Sequence, residues 1–131
     1  QIIVHLLGNV KEVQSEITYP NDPEASEIGV IATLTLENGV KVLVDGLAGQ
    51  AEKEKIAFII HGTEQSISLE DWRILSMAAR GEEFKVVEEL FHSGVSLLDE
   101  LAKAMNGEEA FLIDFNEGLK VQRALERVLE G

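Results

Sequence analysis

The sequence predicts an α+β domain in which the strands come first and the helices follow. From Val10 onward, short β-branched and apolar runs alternate with turn residues. From Ser93 onward, apolar residues instead recur every three or four positions, which is the period of an amphipathic helix. We expect the strands to form an open, mostly antiparallel sheet of about six or seven strands. The helices then cover one face of that sheet, and the other face is left for a partner.

The first segment, "QIIVHLLG" (residues 1–8), predicts the end of an α-helix that stops at Gly8. Because the run starts without Met and enters at once on apolar residues, we expect the beginning of this helix to lie upstream. No basic stretch precedes the run and no small-residue cleavage pattern follows it, so it is not a signal peptide. Residues 10–19 then predict a strand, and residues 19–27, which hold both prolines, predict a loop.

Asn38-Gly39 predicts a β-hairpin, because it lies between two β-rich runs and both residues tolerate a positive φ. With a two-residue turn, one face of the hairpin carries Ala32, Leu34, Leu36 and Leu43. The other face carries Ile31, Thr33, Thr35, Val40, Val42 and Val44. Since both faces are then partly apolar, we expect something to cover each of them.

The run "KIAFIIHG" (residues 55–62) is continuously apolar, which is typical of a central strand buried on both faces. Residues 62–65 predict a turn into the short strand "SISLED". Residues 72–79 fit either a strand or a helix. A turn at Arg80-Gly81-Glu82 favours the strand, paired in a second hairpin with residues 83–90.

Two amphipathic helices are predicted at the end of the chain. Ser93 or Ser96 caps the first helix, and Asn106-Gly107 ends it. Asp114 and Glu117 have the spacing of a capping box that opens the second. The inward stripe of the first helix is Val95, Leu98, Leu101, Ala102 and Met105. That of the second is Val121, Ala124, Leu125, Val128 and Leu129, with Lys120, Arg123, Glu126, Arg127 and Glu130 facing outward.

Composition sets limits on the function. The chain has 131 residues, 45% of them hydrophobic, which is enough for one core and too short for two. A net charge of −13 argues against nucleic acid and anionic membranes as partners. No stretch approaches the roughly 20 apolar residues of a membrane-spanning helix. The lack of cysteine excludes a disulfide framework and a thiolate nucleophile, and it fits a cytoplasmic protein.

Motifs that carry chemistry are scarce. "GLAGQ" (residues 46–50) lacks the spacing of a dinucleotide-binding loop, and no nucleophile elbow is present. His5, His61 and His92 have no metal-ligand partner at helical spacing. We therefore predict no catalytic, cofactor-binding or metal-ligating residue. Trp72, the single tryptophan, fits a pocket wall, a core position or an interface. The polar loop 49–55 fits either a ligand contact or a solvated connector.

Five segments resemble, in order and spacing, the second domain of one enzyme family. The segments are "HLLGNVKEVQSEI", "ATLTLENGVKVLVDG", "AFIIHGTEQSISL", "LLDELAKAMNGEE" and "DFNEGLKVQRALERVLEG". The family is the NAD(P)-dependent oxidoreductases of the glucose–fructose oxidoreductase, inositol dehydrogenase and MocA type. The resemblance covers residues 2–131. Gln65 departs from it, because the family has Gly at this point of its G-T-x-G-S turn.

The resemblance implies that residues 1–131 are a single C-terminal substrate and oligomerisation domain, from which the N-terminal Rossmann domain is absent. NAD or NADP would bind that other domain, and the fragment itself would hold no cofactor. The family's catalytic Asp and His would lie upstream, with a second Asp falling near Gln1, and His5 is in the wrong register for either role. The loop 49–55 matches the family's substrate-facing connection. Candidate substrate contacts are Gln50, Lys53 and Lys55, together with Trp72.

Two hypotheses follow. In the first, the chain belongs to a dehydrogenase acting on a sugar-like or polyol hydroxyl, pairs with the Rossmann domain of its parent chain and forms a homo-oligomer through the open sheet face. It would be inactive alone. In the second, it is a stand-alone α+β dimerisation or small-molecule-binding module. A large apolar cavity lined by Trp72 would favour a small-molecule pocket.

Overall fold

The computed structural model describes residues 1–22, 24–88 and 96–131, which form three helices and seven strands. The helices are α1 (Ile2–Leu7), α2 (Leu97–Met105) and α3 (Phe115–Glu130). The strands are β1 (Val10–Thr18), β2 (Gly29–Leu36), β3 (Lys41–Leu47), β4 (Ala57–His61), β5 (Gln65–Glu70), β6 (Ile74–Ala79) and β7 (Lys85–Val86). The predicted α+β class is confirmed.

The strands form two antiparallel sheets, of order β1-β2-β3 and β4-β5-β6-β7, where a single sheet was expected. Each sheet joins strands that follow one another in sequence, while a polar connection separates β3 from β4. The chain divides into two compact units, residues 1–50 with 109–131 and residues 51–108. Each sheet lies in one of these units.

The first unit is built on the inner face of the three-stranded sheet. In the register of β1 on β2, Val13 lies opposite Leu34 and Ser15 opposite Ala32. Ala32, Leu34 and Leu36 are 2%, 5% and 0% exposed and form the core. Burying side chains of this size is the main favourable term in the stability of a small unit.

The β2–β3 hairpin is confirmed, but its predicted register is wrong by one residue. The amide of Gly39 donates to the carbonyl of Leu36, and Leu36 pairs with Val40, so the loop has three residues and ends in Gly39 at φ 86°. This is a type I turn followed by a left-handed residue. A shift of one residue exchanges the faces of a strand. Val42 and Val44 therefore lie on the inner face, whereas Leu43 lies outside and is 82% exposed.

Helix α3 packs on β1. Asp114 caps the helix by accepting from the amide of Glu117 at 2.8 Å, as predicted. The Ser15 hydroxyl donates to the carbonyl of Val128. Arg127 is exposed, as predicted, and it also donates from Nη1 to the carbonyl of Val10 at 3.3 Å. The carboxylate of Glu117 lies 2.9 Å from Nδ1 of His5, and this contact ties α1 to α3.

The second unit contains the four-stranded sheet. Strand β4 lies at its edge, and Ile59 is 45% exposed, so the prediction of a central strand buried on both faces is wrong. Residues 72–79, which fit either a strand or a helix, contain the strand β6, and this strand begins at Ile74. The hairpin predicted after it is confirmed, because Gly81 has φ 81° and the amide of Glu82 donates to Ala79.

Helix α2 has the predicted ends. Ser96 accepts from the amide of Asp99, and Asn106 ends the helix before Gly107 at φ 78°. Ser93 and Val95 lie outside the described residues. Leu98, Leu101 and Met105, expected to face inward, are 75%, 47% and 80% exposed. None of the helices in the described ranges is long and apolar enough to cross a membrane.

Candidate functional site

Trp72 lies at the tip of the β5–β6 hairpin in an unusual backbone conformation. Asp71 and Trp72 have φ values of 48° and 57°, and the amide of Arg73 closes the turn on the carbonyl of Glu70 at 3.0 Å. Two consecutive positive φ values are the mark of a type I′ turn, which favours Asn-Gly. A bulky residue in such a position costs about 1–3 kcal/mol. The indole is nevertheless 59% exposed, so burial does not account for its place here.

The tip of this hairpin is hydrogen-bonded to Ile56, the residue before β4. The amide of Asp71 donates to the carbonyl of Ile56 at 2.8 Å. The amide of Ile56 in turn donates to Oδ1 of Asp71 at 3.2 Å. Because both groups of Asp71 are engaged, the turn is held at two points and the position of Trp72 is restricted.

A charged pair lies beside this turn. Nζ of Lys55 is 3.0 Å from Oε2 of Glu70, and the two side chains are 63% and 37% exposed. We call the group formed by Lys55, Ile56, Glu70, Asp71 and Trp72 the Trp72 corner. It presents an ammonium donor, a carboxylate acceptor and the flat apolar face of an indole. A polyhydroxylated ring can make all three kinds of contact.

Three of the candidate substrate residues lie in the second unit. The bonds between Ile56 and Asp71 join the backbone segments that carry two of them, Lys55 and Trp72. Lys53 is exposed on the connection that precedes them. Gln50 belongs to the other compact unit, and its Oε1 is buried with no hydrogen-bond partner among the described residues. Sequence reasoning missed Asp71, although an Asp between two β-rich runs is a recognised turn signal.

A cavity of about 440 Å³ lies within the first unit. It lies between α1, α3 and the inner face of the three-stranded sheet, and most of its lining is aliphatic. Three polar side chains also reach it, those of Gln1, Glu27 and Gln122. Trp72 is not among its lining residues, so the cavity is not the Trp72-lined pocket that the second hypothesis anticipated.

The turn at residues 62–65, where Gln65 departs from the family's G-T-x-G-S pattern, is well formed. The amide of Gly62 donates to the carbonyl of Gln65 at 3.0 Å, and Gln65 begins β5 opposite Ala79. A Cβ at position 62 would collide with that same carbonyl, so the turn requires glycine there. Gln65 in place of glycine is therefore compatible with the turn.

The described histidines do not form a metal site. His5 pairs with Glu117, while His61 is exposed at the end of β4. His92 lies outside the described residues. Across residues 1–22, 24–88 and 96–131, no group of three or more His, Asp or Glu side chains is placed to hold a metal ion.

The antiparallel sheets and the order of elements define a class of fold that is also found in part of solved oxidoreductase structures. Levoglucosan dehydrogenase, solved with NADH, matches 98% of this chain with a TM-score of 0.76 and 19% identity. An oxidoreductase from Agrobacterium radiobacter, solved with NAD+, L-tartaric acid and magnesium, matches 98% of it with a TM-score of 0.66 and 19% identity. The chain spans 44% of each of these two structures. No protein-family model and no curated protein matches the sequence.

The comparisons confirm the family resemblance at the level of the fold. NADH or NAD+ is present in those two relatives. Dinucleotides bind where a strand leads into a helix within a parallel β-α-β unit. Within the described residues every paired strand is antiparallel to its neighbour, so this part of the chain offers no such unit.

Proposed function

We propose that the chain is the C-terminal domain of an NAD(P)-dependent oxidoreductase that acts on a sugar-like or polyol hydroxyl. The observation that carries this proposal is the fold likeness, which extends over 98% of this chain but only 44% of levoglucosan dehydrogenase. A match that covers nearly all of one chain and less than half of the other is expected when one domain is compared with a two-domain enzyme. The domain would supply a wall of the substrate pocket and an oligomer interface.

The cofactor does not fit the residues described here, because they contain no parallel strand-helix-strand unit for a pyrophosphate. Hydride transfer would therefore require a cofactor domain outside these residues. Isothermal titration of the chain with NAD+, NADH, NADP+ and NADPH tests this. We expect no measurable heat of binding, and micromolar binding of any of the four would contradict the proposal.

The reading frame upstream of Gln1 distinguishes the two hypotheses. A Gly-rich β-α-β sequence there, ending in a helix with an Asp-x-x-x-His pattern, supports the oxidoreductase. A start codon directly upstream of Gln1 contradicts it and supports a stand-alone module. The cavity of about 440 Å³ favours the small-molecule version of that alternative, since its volume is in the usual range of ligand pockets.

The oligomer interface is proposed to be one face of the four-stranded sheet, which we call the apolar sheet face. The strand register places these side chains together: Phe58, Ile60, Ile67, Leu69, Leu75, Met77, Lys85 and Val87. The apolar members are half-buried. Two copies of net charge −13 repel each other, so a self-contact needs a patch without carboxylates. The described strand positions of this face include no acidic residue.

Leu69→Glu tests this interface, because it places a charge among apolar side chains at the middle of the face. Ile59→Glu is the matched control, since Ile59 lies on the other face of the same sheet and is 45% exposed. Sedimentation velocity at tens of micromolar should show an oligomer for the wild type and for Ile59→Glu, and a folded monomer for Leu69→Glu. A monomeric wild type, or an oligomer that survives Leu69→Glu, contradicts the interface.

A further inference from the structure

We infer that Trp72 is the substrate-stacking residue of this domain, and that it selects ring-shaped polyols, such as pyranoses and cyclitols, over linear ones. The inference rests on the proposed function and adds to it a residue that determines the preference for rings. In outline, the indole contacts the apolar C–H face of the ring. Lys55 and Glu70 contact its hydroxyl groups.

The first argument is that the turn does not need a tryptophan. The positive φ values of Asp71 and Trp72 suit Asn-Gly, and the indole is 59% exposed. An aromatic residue in a strained and solvent-facing position gains nothing from local conformation and little from burial. Strain of this kind is concentrated at functional sites, so an outlier of this kind supports a functional role.

The second argument is that the backbone that carries the indole is held in place before any ligand arrives. Asp71 bonds to Ile56 through its backbone amide and through its carboxylate, at 2.8 and 3.2 Å. Trp72 follows directly in the chain. A stacking surface that is already positioned loses less entropy on binding than one on a mobile loop.

The third argument is the chemistry next to the indole. The Lys55 ammonium and the Glu70 carboxylate are 3.0 Å apart and partly exposed. An ammonium donates to hydroxyl oxygens and a carboxylate accepts from hydroxyl protons, so the pair can satisfy both halves of a diol. Trp72 follows Glu70 by two residues, and an indole combined with such a pair matches a molecule with one apolar face and a polar rim. Cyclic polyols have that shape, whereas a linear polyol acid has no comparable flat apolar face.

Trp72 is the single tryptophan, so its fluorescence reports directly on this site. We expect a saturable change in emission when the chain is titrated with levoglucosan, D-glucose or myo-inositol to several hundred millimolar. L-tartrate at equal concentration and ionic strength should give no saturable change. Equal responses to the ring compounds and to L-tartrate would overturn the inference.

Saturation-transfer NMR measures the binding of the ring compounds to Trp72 variants without relying on fluorescence. Trp72→Ala should weaken binding of the ring compounds at least tenfold, and Trp72→Phe should retain most of it. Phe84→Ala is the matched control, because Phe84 is an aromatic residue of the same unit that is 44% exposed. Unchanged binding in Trp72→Ala overturns the inference. So does conversion of an oligomer to a monomer in Trp72→Ala with sugar binding intact, since Trp72 would then anchor an interface.

Failure of the stacking role can be distinguished from failure of the proposed function. If a cofactor domain precedes Gln1 but the ring compounds do not bind through Trp72, only the stacking role fails. If a start codon lies directly upstream of Gln1, the oxidoreductase itself is contradicted, whatever Trp72 binds.

Discussion

Asp71 and Ile56 are joined by two hydrogen bonds, one from the amide of Asp71 to the carbonyl of Ile56 at 2.8 Å and one from the amide of Ile56 to Oδ1 of Asp71 at 3.2 Å. These bonds connect the turn between β5 and β6 to the residue before β4. They are the reason that Lys55 and Trp72, far apart in sequence, belong to one corner of the sheet.

Replacing Asp71 with alanine should lower the free energy of unfolding by about 1–2 kcal/mol, because the Ile56 amide loses its acceptor and alanine tolerates a positive φ poorly. Asp71→Asn should stay within about 0.5 kcal/mol of the wild type, since asparagine keeps the acceptor oxygen and adopts this conformation readily. Urea unfolding followed by circular dichroism measures both changes.

Asp45→Ala is the control for the loss of a negative charge, because Asp45 is exposed on β3. Its effect should be within about 0.5 kcal/mol, as for most surface substitutions. Equal losses in Asp71→Ala and Asp45→Ala would mean that the bonds to Ile56 contribute nothing to stability.

Trp72→Gly should stabilise the chain by about 0.5–1 kcal/mol, because glycine adopts a positive φ without steric cost. The φ of 57° persists in the folded chain, so the gain comes from removing the Cβ from a strained position. Trp72→Val should give no gain, because a β-branched residue is strained there as well. Thermal unfolding compares both variants with the wild type, and a lower midpoint for Trp72→Gly than for the wild type would show that the indole stabilises the fold by packing.

Gly39→Ala and Gly118→Ala should change stability in opposite directions. Gly39 has φ 86° and open space around it, so a Cβ there meets no neighbour and the cost, about 1 kcal/mol, comes from backbone conformation alone. Gly118 lies in α3 with equally open space. Alanine there should add about 0.5–1 kcal/mol, the usual gain within a helix. Urea unfolding measures both changes. A lower free energy of unfolding for Gly118→Ala, or an unchanged one for Gly39→Ala, would contradict this account.

The β2–β3 hairpin shows how far the sequence can specify this fold. Asn38-Gly39 predicts that the strands turn here, and they do. The same dipeptide fits a two-residue turn or the end of a three-residue one, and the two differ by a single residue of register. That residue decides whether Val42 or Leu43 faces the core. Local preference cannot make this choice, because the energy difference lies in the packing of α3 against the sheet.

The candidate site shows a similar limit. Trp72 and Lys55 are recognisable separately, as an isolated aromatic residue and as part of a polar loop at a sheet end. Glu70 is not recognisable among 24 acidic residues, and Asp71 is recognisable only as a turn residue. Their roles depend on the register of β4 on β5, which brings Ala57 opposite Glu70 and so places Lys55 and Ile56 beside the turn. Contacts that depend on which strands pair in the folded chain produce no recognisable residue spacing in the sequence.

Asp114→Ala should lower the free energy of unfolding by about 1 kcal/mol, the usual loss for an N-cap side chain. The Asp114 carboxylate accepts from the amide of Glu117 at 2.8 Å and lies at the positive end of the helix dipole. Ser96→Ala is the matched control at α2, where the capping bond to Asp99 is longer, at 3.4 Å, and the acceptor is uncharged. Its loss should be the smaller of the two in urea unfolding. Because α3 packs on β1 and contacts α1 through His5, fraying of its first turn should also loosen α1. Hydrogen exchange at the amides of α1 should therefore speed up in Asp114→Ala but not in Ser96→Ala, and equal rates in the two variants would show that the cap acts on α3 alone.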